Sequence, residues 1–176
     1  MLRFTLVAFA IITICICPAP AQQTKTATPA PPAPIPAQIA AAKKAFIANG
    51  GGECSPLGDS EFSGGPDVAY KEFYAGVKKW GRFSLVNAPA DADLVMEVHF
   101  TCPAYFDANS FQVDGQIRIV FLDPKTRMLL WAMTQHSQVA KLKSNRDKEF
   151  GIAMSRLLSS VQSLVLLAAD QPDPNK

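Results

Sequence analysis

Histidine and cysteine are scarce in this chain: its 176 residues hold two of the first and four of the second. No CxxC pair occurs, and the two histidines, His99 and His136, stand far apart, so the ligand spacing of a zinc site is missing and no metal is expected. Runs of one charge are lacking as well. Formal net charge is +2, and the basic residues Lys141, Lys143, Arg146 and Lys148 are interleaved with Asp147 and Glu149, as on a solvated helix start. Nucleic acid, whose binding needs several cations on one face, is therefore not an expected partner.

Also missing is a phosphate loop. The one glycine-rich run, GGGECSPLGDSEFSGGPD from Gly50 to Asp67, lacks the lysine of GxxxxGK[ST] and the tight GxGxxG turn that presents backbone amides to a pyrophosphate. Its charges are Glu53, Asp59, Glu61 and Asp67, which repel phosphate, and their spacing is not that of an EF-hand. The run reads as a long surface loop, with Pro66 and Asp67 starting a helix. Neither a nucleotide nor any other cofactor is expected.

What is present begins at the amino terminus. Arg3 precedes an uncharged, mostly apolar run from Phe4 to Cys17, then Pro18-Ala19-Pro20-Ala21. The run is too short for a membrane span of ~20 residues and has the form of a secretory signal peptide over residues 1–21, with cleavage expected between Ala21 and Gln22. The competing reading is a lipid anchor on Cys15 or Cys17. Ile14 and Ile16 stand where that processing needs a small residue, so a membrane attachment is expected only if one of those cysteines is lipidated. The mature chain would keep 155 residues, a net charge of about +1 and two cysteines, Cys54 and Cys102. In the oxidising compartment outside the cytoplasm, periplasmic or secreted, the two are expected to pair. Closing that loop would stabilise the fold by about 3 to 4 kcal/mol in the chain-entropy account. The alternative is two unpaired thiols.

Residues 22–40 are rich in Pro, Ala and Thr without apolar periodicity and read as a disordered tail; residues 170–176 read as a frayed end. Between them, residues 41–169 make one domain. KAFIAN (44–49) reads as a buried strand, and Pro66 to Trp80 as an amphipathic helix with Ala69, Phe73, Val77 and Trp80 on one stripe and Gly81 at its end. RFSLVNA is a second strand. DLVMEVHFT and FQVDGQIRIVFLD alternate strictly, placing Leu94, Met96, Val98, Phe100, Phe111, Val113, Ile117, Ile119 and Phe121 inward. DPKTR turns into MLLWAMTQHSQVA, making a hairpin, and Ser144 to about Ala168 is the second core helix, with Phe150, Met154, Leu157, Leu158, Val161, Leu164, Val165 and Leu167 at helical spacing. The expected fold is an α/β two-layer sandwich in the order β-α-β-β-β-β-α: a mixed five-stranded sheet with two helices on one face.

The polar sheet face is then the candidate site. Glu97 and His99, two apart on one strand, point the same way, with Asp114, Gln116 and Arg118 expected across the neighbouring strand. A carboxylate beside an imidazole can do acid/base chemistry in a cleft, but the same pattern is an ordinary solvated strand face. His136 reads as a structural strand histidine. Glu97, His99, Gln116 and Arg118 are the candidate binding residues, and no catalytic triad can be assembled.

The segments KKAFIANGGGE, GGPDVAYKEFYAGVKKWGRFSLVNAPADADLVMEVHF and IRIVFLDPKTRMLLWA, with the closing helix, resemble a family of uncharacterised exported bacterial envelope proteins. Their domain is similar in layout to the TolB amino-terminal domain and related envelope lipoprotein domains. The resemblance spans roughly Lys43 to Leu167 and rests on the ADADLV lead-in to a strand and the Asp-Pro-x-Thr turn before Leu-Leu-Trp. It implies a two-layer α/β domain that binds protein partners in the cell envelope, and it carries over no catalytic residue. Arg127 stands where that turn commonly has glycine, so a non-glycine residue at positive φ is expected. The function expected is non-enzymatic: an exported binding or scaffold domain whose partner is another envelope protein or a cell-wall component. The alternative is a hydrolase using Glu97 and His99.

Overall fold

The computed structural model describes residues 33–52, 62–107, 110–138, 140 and 142–171. The leader, most of the expected tail and Cys54 lie outside the described residues. Ala33 to Lys176 forms one compact unit.

The unit is an α+β sandwich. Strand β1 (Lys44–Gly51) is followed by helix α2 (Val68–Trp80), the two-residue strand β2 (Ser84–Leu85), and strands β3 (Leu94–Thr101), β4 (Ala104–Asp107), β5 (Ser110–Leu122) and β6 (Leu129–Gln138). Helix α3 (Lys143–Asp170) closes the chain, and a short helix α1 (Ala37–Ala41) precedes β1. The sheet runs β2-β1-β3-β5, with β6 and β4 both pairing β5. β1 pairs parallel with β2 and β3; β3 pairs antiparallel with β5, and β5 with β6. The expected two-layer class therefore holds, with six strands and three helices in place of five and two.

Alternation decides the faces. Leu94, Met96, Val98 and Phe100 of β3 are 0 to 5% exposed, as are Ile117, Ile119 and Phe121 of β5. Val68, Ala69, Phe73 and Val77 of α2 and Phe150, Met154, Leu157, Val161, Leu164 and Val165 of α3 close over them. Each of these Val, Leu, Ile, Met and Phe side chains contributes about 1.5 to 3 kcal/mol on burial. Helix α3 is long and apolar enough to cross a membrane, but its apolar stripe lies against the sheet, which is the composition of a core helix. Its Leu167, expected inward, is 58% exposed, because the stripe has rotated to Leu164, Val165 and Ala168 in the last turns. Helix α2 ends at Gly81, whose φ of 72° lets its N–H reach the Val77 carbonyl.

Two elements depart from expectation. Helix α1 takes its first four residues from the segment read as tail: Ile39 is fully buried, and Gln38 Nε2 donates to Asp123 Oδ2 at 2.8 Å, so one apolar anchor and one polar clamp order residues 37–41. Strand β4 continues β3 in the same register against β5, since Thr101 pairs Gln116 and Ala104 pairs Val113. The interruption falls at Cys102-Pro103, where proline has no N–H to give; the Pro103 carbonyl still accepts from Asp114 N at 3.0 Å. Among the described residues the β6 pairing reaches Asp114, and residues 104–107 and 110–113 pair with each other as a two-stranded ribbon about 13 Å long. Phe111, expected inward, keeps that face but lies past the helix layer and is 44% exposed.

Candidate functional site

The site is best built from the glycine run that ends β1. The pairing of β1 with β3 shifts between Asn49 and Gly51, which leaves Gly50 as the extra residue of a bulge. An added Cβ on Gly50 would lie 2.4 Å from His99 Cε1, so the missing side chain makes room for the imidazole. Gly51 and Gly52 then take φ of 74° and 134°, and a Cβ on Gly52 would sit 2.0 Å from the Phe100 carbonyl oxygen. These glycines serve chain geometry beside β3. The remainder of the run, residues 53–61, lies outside the described residues. At its far end Asp67 occupies the N-cap position of α2, yet its Oδ1 accepts from Asn49 Nδ2 at 2.7 Å in place of a helix amide. That bond ties the strand end to the helix start.

The sheet face away from the helices carries the candidate residues. His99 lies directly opposite Arg118, Glu97 opposite Val120, and Gln116 is flanked by Thr101 and His136. All four expected residues, Glu97, His99, Gln116 and Arg118, thus share one face of neighbouring strands. They sort into two clusters. Arg127, in the β5–β6 turn, reaches Glu97 with Nη2 at 2.6 Å from Oε1, and His99 Nε2 stands 3.7 Å from Glu97 Oε2. In the other, Asp114 accepts from Gln116 Nε2 at 2.8 Å, and His136 Nδ1 lies 2.8 Å from Asp114 Oδ2. Arg118 lies between them, exposed, with no hydrogen bond or ion pair among the described residues.

Chemically, the two carboxylates of this face are already engaged by neighbouring groups. Glu97 is engaged by a guanidinium, and its separation from His99 is longer than a hydrogen bond. Among the described residues, a cavity of about 580 Å³ lies between α2 and α3 and one of about 350 Å³ beside α1 and Asp123, and neither is lined by Glu97 or His99. Among the described residues, no group of three or more His, Cys, Asp and Glu side chains could hold a metal ion.

The turn that brings Arg127 over the face is built by Asp123. Its Oδ1 accepts from the N–H of Lys125 and Thr126 and from Thr126 Oγ1, and Arg127 takes φ of 60°, the positive value expected at that position. Those donors, led by the Thr126 amide and joined by Gln38, pull the Asp123 carboxyl down to about 2. Asp93 is lowered by the amides of Lys44 and Lys43, and Asp147 by the hydroxyl and amide of Ser63. Periodicity could not reveal the Asp114–His136 pair, because it depends on the β5–β6 register. Val95 faces outward as expected but is fully buried, opposite Leu122 at 8% exposure, so one end of the open face is apolar. Cys102 is buried at the end of β3; its expected pairing involves Cys54, which lies outside the described residues.

Comparison with known proteins leaves the family open. No family model matches the chain, and no curated protein matches it. Solved structures with a similar course include hypothetical protein CT253 from Chlamydia trachomatis, 10% identical over 70% of this chain and 95% of that one, with a TM-score of 0.47. Protein XCC0632 from Xanthomonas campestris, of family DUF330, is 8% identical over 73% and 86%, with a TM-score of 0.48. A putative neuraminyllactose-binding hemagglutinin homolog from Helicobacter pylori is 12% identical over 69% and 84%, with a TM-score of 0.38. At these scores the likenesses carry no functional argument, and the likeness to the TolB amino-terminal domain is not shown by them.

Proposed function

We propose that the chain is a non-enzymatic binding or scaffold domain, exported to the bacterial cell envelope, that engages another envelope protein or a cell-wall component through its open sheet face. The observation that carries this reading is the face itself. Among the described residues, the helices lie on one side of the sheet, and the other side presents a band of paired polar groups around Arg118, which has no hydrogen bond or ion pair among them. A guanidinium held among fixed partners and offering its own donors is suited to a carboxylate or carbonyl on a partner. Export is supported by the apolar amino-terminal run and its Ala19-Pro20-Ala21 ending. We also propose the Cys54–Cys102 disulfide; the burial of Cys102 at the end of β3 and the two cysteines left after cleavage support it. The hydrolase reading of Glu97 and His99 has the weaker support, because the Arg127 guanidinium occupies the carboxylate.

The test is in-cell cross-linking of the tagged chain, followed by capture from the envelope fraction, for the wild type and a variant with alanine at Glu97, His99, Gln116 and Arg118. One partner in stoichiometric amount, lost in the variant, is expected. A partner retained by the variant would remove the face from the account.

A further inference from the structure

Strand β6 borders the sheet without the devices that keep a free edge from pairing. Among the described residues it bonds to β5 on one side and to no strand on the other, which leaves a row of backbone N–H and C=O groups without a ladder along its ten residues. Its sequence, LLWAMTQHSQ, has no lysine, arginine, aspartate, glutamate, proline or glycine. Charge, proline and short length are the usual ways to blunt such an edge. The far edge of the same sheet is blunted by length, since β2 has two residues. The side chains of β6 show the same opening. Met133 and Trp131 pair across from Ile119 and Phe121 of β5, which are fully buried, yet both are only partly buried themselves. From Leu129 to Met133 run five apolar residues, none of them buried, and Leu129 is 58% exposed.

We infer that β6 of one molecule pairs antiparallel with β6 of a second copy of this chain, joining the two sheets edge to edge across a twofold axis. The row of backbone groups selects a strand as the occupant, because only an extended chain repeats donors and acceptors at that spacing. The charge of β6 selects its own copy: a strand with no ionised side chain in its sequence sets no like charges opposite one another when it pairs with itself. Hydrogen bonding gives the scale. An antiparallel ladder makes on average one bond per residue pair, so overlap of most of β6 supplies roughly nine, close to the ~10 direct bonds of an ordinary stable interface. A twofold uses the same edge of both copies and closes there, so pairing ends at two molecules. The axis of a full overlap falls at Met133 or Thr134, the middle of the strand. Each Arg118 lies across from Thr134 of its own copy, so the two open faces become one continuous face. The inference does not rest on the proposed function, because the pairing uses backbone groups and leaves that face uncovered.

Two measurements on the purified protein, as its host processes it, test the pairing with no envelope partner present. Sedimentation velocity from about 1 to about 300 μM should show a monomer–dimer equilibrium for the wild type. Thr134 is exposed, so Thr134→Lys spares the core, and with the axis at either residue it brings two lysines opposite or diagonal to one another beside two Arg118 side chains. That variant should dimerise at least roughly fivefold more weakly. The second measurement locates the axis. Single cysteines at positions 132, 133, 134 and 135, oxidised at a concentration where the wild type is dimeric, should give a covalent dimer whose yield peaks at 133 or 134, where each residue meets its own copy. A cysteine at the exposed Lys78 of α2 should give none. A wild type that stays monomeric throughout would overturn the inference and leave the edge to a strand of another protein. A T134K variant that associates like the wild type, or a covalent yield that is level along β6 or equalled at position 78, would overturn it as well.

Discussion

Replacing Gly51 and Gly52 one at a time by alanine separates two costs that a glycine-rich run combines. At Gly51, φ is 74° and a Cβ would meet nothing within 4 Å, so the penalty is conformational alone, about 1 to 2 kcal/mol. At Gly52, φ is 134°, and the Cβ would lie 2.0 Å from the Phe100 oxygen, 2.7 Å from its carbonyl carbon and 2.9 Å from its nitrogen. Those are backbone atoms of β3, held by the sheet on both sides, so β1 must move away by more than ~1 Å. An overpacking cost of about 1 to 3 kcal/mol then adds to the backbone penalty. The total for Gly52→Ala is about 3 to 5 kcal/mol, a large share of the ~5 to 15 kcal/mol that stabilises a domain. Urea unfolding followed by fluorescence measures both. With a slope near ~2 kcal/mol/M, the midpoint should fall by about 0.5 to 1 M for Gly51→Ala and by about 1.5 M or more for Gly52→Ala, at unchanged slope. Equal midpoints for the two variants would refute the assignment of Gly52 to close approach.

Acidification should destabilise the fold through the lowered carboxylates. A carboxyl whose folded pKa lies below its unfolded value contributes stability that is complete above the unfolded value and lost as pH falls through the folded one. For Asp123 that window runs from 3.8 to about 2, and Asp123→Asn should flatten the thermal midpoint across it relative to wild type. Arg127→Gly exchanges a strained φ for the loss of an exposed ion pair to Glu97, two effects of about 1 kcal/mol or less that oppose each other; a thermal midpoint shift of more than roughly 5 °C would contradict that balance. Intact mass of the purified chain, with and without reductant, should differ by about two hydrogens if Cys54 and Cys102 pair, and its absolute value locates the cleavage after Ala21. Equal masses would leave two thiols.

Much of this architecture was legible because alternation and helical spacing are strict where they bear on the core. Met96, Val98, Ile117 and Ile119 face inward for the same reason that Glu97 and Arg118 face outward: period-two geometry leaves no other choice beside a covered sheet. Short elements were the ones missed. AQIAA is five residues beside a proline-rich segment, and its helix exists because Ile39 finds the core and Gln38 finds Asp123, neither of which is local information. AYFD is four residues after a proline, and only its register with β5 makes it a strand. Within the site, the shared face of Glu97 and His99 follows from their spacing, whereas the partners Arg127 and His136 depend on a turn that folds back over the sheet and on cross-strand register. Exposed Phe106 and Leu167 show the limit of composition: apolar residues at regular spacing are inside only as far as another layer extends.

The central claim is that the open sheet face is where this chain meets its partner. A photoreactive amino acid placed at Arg118, and as a control at the exposed Lys78 on α2, should be irradiated in cells that export the protein. One discrete cross-linked species is expected from position 118 and none from position 78. The same species from both positions, or a species from position 78 alone, would contradict it.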